Sequence, residues 1–401
     1  MNKLRLIILA LAITSPIEKV GYILLFVFLS IEIYNWIKQK NNFNYINIKK
    51  GIFHPISMLF FAMLILIKLR NPIGPWDRDL SLILFPLIFS INPLKKTDKI
   101  YFFKSYIYSL AIMLLLLLIH EFIQEVYFEN YVNLWKLSEY YNHNKILYFI
   151  HSVSERIDFH HIYFSLYLLV GFVIGFYLLD EGFVYKKNEK IALKLILLFF
   201  LIFSFLSLSR MTIICFILFG IAFLIKYILK NKKKIKSTLI LTLLFVGVLM
   251  LCFNIKGKLY NRFKNIPQDP RVELFITSIK LSKESPLIGH GYKKASNLLQ
   301  LKQKGNIPIY NNSHNQYLDF LLSGGIIMII VFAGINSCLF RNFKRQKVYI
   351  ALILQIIFLI QIMSESLLYR YRGIILYAVF MAIFYKNNYE IRKQKNLKVN
   401  L

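Results

Sequence analysis

Apolar residues form long, nearly unbroken runs along most of the chain, and polar residues gather between these runs. An α-helix needs about 20 consecutive apolar residues to cross a bilayer, and somewhat shorter runs can serve. On this basis the sequence predicts about twelve transmembrane helices. They lie near residues 3–14, 20–37, 52–67, 79–91, 100–123, 161–180, 191–208, 211–229, 237–254, 317–338, 348–363 and 373–385.

The composition agrees with an all-α polytopic membrane protein. Of the 401 residues, 57% are hydrophobic and 17% are charged, whereas a soluble globular protein has about 25% charged residues. The three cysteines, Cys215, Cys252 and Cys338, fall in or at the ends of predicted spans. We therefore expect no disulfide framework and no zinc site, and the sequence suggests neither a cofactor nor a bound metal.

The apolar runs divide the chain into six segments. These are N-terminal transmembrane helices (1–123), an external aromatic loop (124–160), central transmembrane helices (161–254), a large external loop (255–316), C-terminal transmembrane helices (317–385) and a basic tail (386–401). Inside the large loop, between the ninth and tenth spans, Pro270–Lys283 reads as an amphipathic helix. Its predicted apolar face consists of Val272, Phe275, Ile276 and Ile279.

Lysine and arginine cluster in alternate loops, and this pattern sets the predicted orientation. The clusters occupy residues 38–51, 92–99, 181–190, 230–236 and 341–347, and the tail from Lys386. Because basic loops stay in the cytoplasm, both termini are predicted to be cytoplasmic. Topology and contact with anionic membrane lipids account for most of the formal charge of +30, so we do not expect a nucleic-acid partner.

The most informative motif is Ser313–Ile330, which places polar residues at the mouth of a predicted membrane helix. His314, Leu318, Leu321, Leu322 and Gly325 have the spacing of one helical face. His314 and the following asparagine are therefore expected near the water boundary. A polar helix start with a glycine packing notch is the alternative interpretation.

Two further positions suggest an anion site on the external side. Arg210 stands between two apolar runs beside the hydroxyls of Ser207, Ser209 and Thr212. It either snorkels to water from a tight hairpin or faces a cavity in the helix bundle. Arg271 opens the predicted helix of the large loop. Arginine forms bidentate hydrogen bonds with phosphate oxygens, so a lipid-linked diphosphate is a fitting ligand.

These motifs together resemble the O-antigen ligase/polymerase superfamily of bacterial envelope glycosyltransferases. The resemblance rests on Ser209-Arg210 at the start of a span, on Arg271 followed by PLIGHGY at Pro286–Tyr292, and on HNQYLDFLLSGG at His314–Gly325. A softer match is HHIYFSLYL at His160–Leu168. The motifs cover roughly residues 150–330, and the N-terminal third matches only in hydropathy.

The resemblance implies a metal-independent, inverting glycosyltransferase of the bacterial cytoplasmic membrane, with its active site on the periplasmic or outer face. The donor would be an undecaprenyl-diphosphate-linked glycan and the acceptor a lipid or glycan such as lipid A-core. Arg210 and Arg271 would hold the diphosphate, and His314 would assist the acceptor hydroxyl or position the donor. Candidate substrate-binding residues are Ser209, Asn315, Tyr292, His161 and Arg370.

Several interpretations stay open at this stage. A glycan ligase and a polysaccharide polymerase share the donor chemistry and differ only in the acceptor. A polysaccharide or lipid transporter is the alternative of another class, although the chain shows no internal repeat and few charges at midspan. His161 is either a helix cap or a substrate contact. Glu365, Arg370 and Arg372 read as plain loop charges, although the two arginines could also line a diphosphate groove.

Overall fold

The regular elements of the protein are helices. The computed structural model describes residues 2–38, 45–69, 79–123, 161–207, 209–230, 270–302 and 311–385, and every regular element among them is helical. The helices are α1 (Asn2–Thr14), α2 (Glu18–Lys38), α3 (Tyr45–Ile52), α4 (Pro55–Met63), α5 (Ser81–Ile91), α6 (Lys96–Ile123), α7 (His161–Asp180), α8 (Lys187–Leu206), α9 (Arg210–Lys230), α10 (Pro270–Ser282), α11 (Tyr292–Lys302), α12 (Gln316–Gln346), α13 (Tyr349–Gln361) and α14 (Tyr371–Phe384). A π-helical turn extends α4 over Leu64–Lys68, and a 3₁₀ turn spans Leu367–Tyr369.

Among the described residues, four helices are long and apolar enough to cross a membrane: α2, α6, α7 and α12. A fifth is added if α3 and the extended α4, which bend by 56°, form one broken span. Helices α1, α5, α13 and α14 have 13, 11, 13 and 14 residues. At about 1.5 Å per residue each is only about 20 Å long, against a hydrocarbon core of about 30 Å. The total of twelve spans stays a prediction, and the run at 237–254 lies outside the described residues.

The described residues divide into two compact units. One comprises those within Met1–Ile31 and Lys96–Asn265, and the other comprises those within Glu32–Lys95 and Ile266–Leu401. In the first unit α7 packs between α6 and α8. A Cβ atom at Gly171 would lie 2.8 Å from the Phe200 ring, and one at Gly175 would lie 2.5 Å from Leu197. These two glycines therefore let α7 and α8 approach closely, as small residues do between membrane helices.

In the second unit, the two helices of the large loop pack on α12. Their apolar contacts consist of buried side chains from all three helices: Leu274, Leu281, Ala295, Leu299 and Leu322. The helix predicted at Pro270–Lys283 is confirmed as α10, and its predicted apolar face is not the side that packs inward. Phe275 and Ile276 are 46% and 47% exposed, because the opposite side of α10 faces α12.

Helix α12 is interrupted at Gly325, where φ is 67° and ψ is −168°. The turn Ser285–Gly291 packs against this interruption. Its backbone replaces the usual helical hydrogen-bond partners at two positions of α12. Four backbone hydrogen bonds join the two segments: the N–H groups of His290 and Gly291 donate to the carbonyls of Leu322 (2.9 Å) and Ser323 (2.8 Å), and those of Ile326 and Ile327 donate to the carbonyls of Pro286 (2.9 Å) and Leu287 (3.3 Å).

Only glycine fits where the turn meets the interrupted helix. A Cβ atom on Gly325 would lie 2.2 Å from the carbonyl oxygen of Leu287, and one on Gly289 would lie 2.5 Å from the carbonyl carbon of Ser323. Both glycines also have positive φ, at 67° and 61°, which L-residues with side chains rarely adopt. The glycine notch expected at Gly325 is thus a point where another segment is inserted.

Candidate active site

The predicted polar cluster lies at the start of α12. Asn315 is the N-cap residue, and its side-chain oxygen accepts hydrogen bonds from the backbone N–H groups of Tyr317 (3.0 Å) and Leu318 (3.2 Å). His314, one residue earlier, has a φ of 50°, a left-handed backbone uncommon outside glycine and concentrated at functional sites. The predicted helical face that included His314 is therefore wrong, because the helix begins after this residue.

His314 contacts a buried carboxylate. Its Nδ1 atom lies 3.2 Å from Oε2 of Glu365, and the side chains are 14% and 3% exposed, respectively. An acidic partner at Nδ1 fixes the proton on that nitrogen and makes Nε2 the basic atom of the ring. The interpretation of Glu365 as a plain loop charge is therefore wrong, because plain loop charges are solvated and this one is buried against a histidine.

A second buried carboxylate connects the segments that carry His314 and Glu365. Asp319, in the first turn of α12, accepts hydrogen bonds from the backbone N–H of Ser313 (2.8 Å) and from its hydroxyl (2.7 Å). The other carboxylate oxygen accepts a hydrogen bond from the Ser366 hydroxyl. Ser313 precedes His314 and Ser366 follows Glu365. The hydrogen bonds of both serines to Asp319 therefore help to set the distance between His314 and Glu365.

Further hydrogen bonds join the start of α12 to the turn between α13 and α14. The N–H of Gln316 donates to the carbonyl of Ile362 (2.9 Å), and the side-chain oxygen of Gln316 accepts from the N–H of Leu368 (2.8 Å). The Gln316 side chain is fully buried. The start of α12 and the turn between α13 and α14 therefore form one hydrogen-bonded structure, and this structure holds the histidine in its strained backbone conformation.

An aromatic group lies further along the same side of α12. Tyr292 meets Tyr369 edge to face at 5.3 Å between ring centroids, and the Tyr369 hydroxyl lies 3.0 Å from that of Ser323. Desolvation and the neighbouring Asp319 carboxylate raise the pKa of Tyr369 well above its usual value, so its phenol stays neutral. Lys68 lies 5.9 Å from the Tyr292 ring centroid, which brings a buried cation to this candidate substrate-binding residue.

The candidate arginines of the second unit differ in exposure. Arg271 is the second residue of α10 and is partly exposed, whereas Arg370 is exposed just before α14. Arg372, two residues later, is only 6% exposed. The structure thus leaves Arg271 and Arg370 accessible to a ligand and places Arg372 in the interior of this unit.

In the first unit, Arg210 is the first residue of α9 and follows a row of buried hydroxyls. The Thr212 hydroxyl donates to Ser209 Oγ (3.0 Å) and lies 2.9 Å from Ser165 Oγ. His161 opens α7, the helix that carries Ser165, and is partly exposed. The Thr212 hydroxyl therefore links Ser209 to Ser165 of α7, and Arg210 begins α9 directly after Ser209.

Apolar helices of membrane-spanning length and the contact of His314, just before one of them, with a buried carboxylate indicate a multi-pass membrane protein with an enzyme-like site. Residues 195–333 match the family model for O-antigen ligase. This match supports the resemblance to the O-antigen ligase/polymerase superfamily seen in the sequence. It supports a glycosyltransferase-like enzyme of polysaccharide biosynthesis. No curated protein matches the chain.

The matched region contains Arg210, Arg271 and His314 and ends before Glu365. Glu365 is the functional candidate that sequence reasoning missed. Its position in a short turn between two apolar runs gave no indication of burial, and its partner lies 51 positions earlier.

Proposed function

We propose that the protein transfers a glycan from undecaprenyl diphosphate to an acceptor hydroxyl, as an O-antigen ligase does, at the extracytoplasmic face of the bacterial cytoplasmic membrane. The acceptor is lipid A-core or a similar surface glycan. The observation that carries the proposal is the contact between His314 and the buried Glu365. The histidine lies within the segment that matches O-antigen ligases.

In the proposed step His314 acts as the general base. With Nδ1 beside Glu365, Nε2 takes the proton of the acceptor hydroxyl while the hydroxyl oxygen attacks the anomeric carbon. The bond from that carbon to the diphosphate oxygen breaks, and its electron pair leaves with the diphosphate. Because this is a single displacement, the anomeric configuration inverts. The Glu365 carboxylate stabilises the imidazolium that forms.

Negative charge grows on the departing diphosphate, and fixed cations stabilise it selectively in the transition state. We assign this role to Arg271, partly exposed at the start of α10, and to Arg210. Both assignments rest on the resemblance and on the fit of guanidinium groups to phosphate oxygens. With arginines in this role, the reaction as proposed needs neither a metal ion nor a nucleotide.

The test is reconstitution of the purified protein in nanodiscs with an undecaprenyl-diphosphate-linked glycan and candidate acceptors, without metal or nucleotide. Release of undecaprenyl diphosphate and the size of the product are measured. We expect His314→Ala to lower the rate by about 10²–10⁴-fold, the usual contribution of a general base. Glu365→Gln should lower kcat and leave binding of the donor largely unchanged, because it acts through the histidine.

Matched controls are available within the chain. His120→Ala and Glu181→Gln remove an exposed histidine and an exposed carboxylate and should retain the wild-type rate. A product extended by one repeat unit on a lipid carrier would indicate a polymerase with the same donor chemistry. In sealed vesicles, acceptor-independent movement of intact lipid-linked glycan across the membrane, equal in all variants, would indicate a transporter and not an enzyme.

A further inference from the structure

The turn Ser285–Gly291 exposes two large apolar side chains next to each other. Leu287 and Ile288 are 65% and 47% exposed. The helical residues hydrogen-bonded to this turn, Ile326 and Ile327, are 40% and 38% exposed. Adjacent exposed apolar side chains of this size mark an interaction surface, whereas isolated ones are ordinary. The turn and α12 therefore present an apolar surface built from two neighbouring segments.

Much of the backbone of the turn is hydrogen-bonded within the protein. Beyond its four hydrogen bonds to α12, the Gly289 N–H donates to the Ser285 carbonyl (3.0 Å), and the Ser285 hydroxyl donates to the Gly289 carbonyl (2.9 Å). Loops in water leave such groups to the solvent. Irregular backbone at membrane depth is tolerated where its polar groups are satisfied by protein, and these hydrogen bonds supply much of what is required.

The helix that receives the turn is one of the candidate membrane spans. The contact falls at Ser323–Ile327, inside the apolar part of α12 and several residues beyond its polar start. A turn docked at that level of a span would lie at the depth of the hydrocarbon core, because α12 is apolar on either side of the contact.

We propose that Leu287 and Ile288 insert among the acyl chains of bilayer phospholipids, so that this turn anchors the large loop in the membrane. This inference concerns the lipid contact of the loop and stands independently of the proposed transferase activity. The anchor would hold α10 and its Arg271 close to the membrane surface. The occupant of the surface is the phospholipid acyl chain, and a covering protein surface is an alternative that the experiment separates.

The test uses tryptophan fluorescence in vesicles of phosphatidylcholine with brominated acyl chains, which quench on contact. The three native tryptophans, Trp36, Trp76 and Trp135, are first replaced by phenylalanine. The reporter is Leu287→Trp in the full-length chain. The matched control is Asn297→Trp, at an exposed polar position of α11.

We expect Leu287→Trp to emit at shorter wavelength than the control and to lose more of its emission to brominated lipid, and less to aqueous iodide. Equal quenching of both reporters by each agent would overturn the proposal. Blue-shifted emission insensitive to brominated lipid would also overturn it, because protein would then cover the turn. Ile288→Trp serves as a second reporter if the first variant elutes as aggregate in size-exclusion chromatography.

Discussion

Replacement of Gly325 by alanine should destabilise the second unit strongly. The backbone there has φ of 67° and ψ of −168°, a region populated essentially by glycine and costing other residues about 1–3 kcal/mol. The added Cβ would also lie 2.2 Å from the Leu287 carbonyl oxygen. Overpacking of this kind typically costs about 1–3 kcal/mol. We therefore expect a total loss of about 2–6 kcal/mol in the free energy of unfolding.

The measurement is equilibrium unfolding in mixed micelles of dodecylmaltoside and SDS, because thermal unfolding of membrane proteins is commonly irreversible. Gly334→Ala is the matched control in the same helix. A Cβ atom at Gly334 would have open space around it, and alanine is favoured over glycine in a helix by about 0.5–1 kcal/mol. The same substitution should thus destabilise at one position of α12 and stabilise slightly at the other.

Equal unfolding midpoints for the two glycine variants would refute this reasoning, because the turn would then not be locked into the interrupted helix. A variant at Gly325 that is folded but lacks transferase activity would agree with it. In that case the turn would have left the helix, and the segment that carries Arg271 would have lost its position.

Two further predictions use the same unfolding assay. Lys68 forms a buried ion pair with Asp79, so Lys68→Met alone should cost about 3–5 kcal/mol, and the additional replacement Asp79→Leu should recover most of that loss; additive losses would contradict the pairing. The side-chain oxygen of Asn336 accepts a hydrogen bond from the Tyr377 hydroxyl (3.1 Å). The backbone carbonyl of Asn336 accepts one from the Gln355 side-chain amide (2.7 Å). Asn336→Leu removes the contact with Tyr377 and keeps the backbone carbonyl, so it should cost about 0.6–1.7 kcal/mol, the usual range for polar contacts between helices of membrane proteins. No change would show that α12 and α14 do not depend on this contact.

The sequence predicted the positions of most helices because long apolar runs and their polar ends are local features. The predicted helix at Pro270–Lys283 and the proline–glycine turn that follows it are both present. His314 and Asn315 do stand at the start of a membrane-spanning candidate. The number of spans was less predictable, because a run of 11 to 14 apolar residues suits a buried helix as well as a short span.

The contacts that define the candidate site are not local, and for this reason the sequence pattern missed them. Glu365 stands in a turn between apolar runs, where a carboxylate is usually solvated. It is buried because the turn packs on His314 and because Ser366, the next residue, donates a hydrogen bond to Asp319. In the same way, Gly325 interrupts α12 because the carbonyl groups of a distant turn are available to its backbone. Hydrophobic periodicity describes one segment at a time and contains no information about which segments meet.

The outward position of the predicted apolar face of α10 has a physical cause that bears on the proposed membrane anchor. Apolar residues lie on two sides of this helix: Leu274 and Leu281 are buried against neighbouring helices, while Phe275 and Ile276 are exposed. Periodicity alone could not decide which side would pack inward. A helix with apolar residues on both sides is expected where protein covers one side and lipid meets the other. If the Leu287→Trp reporter contacts acyl chains, the same membrane surface best explains the exposed apolar side of α10. A Phe275→Trp reporter should then be quenched by brominated lipid to an extent between those of Leu287→Trp and Asn297→Trp.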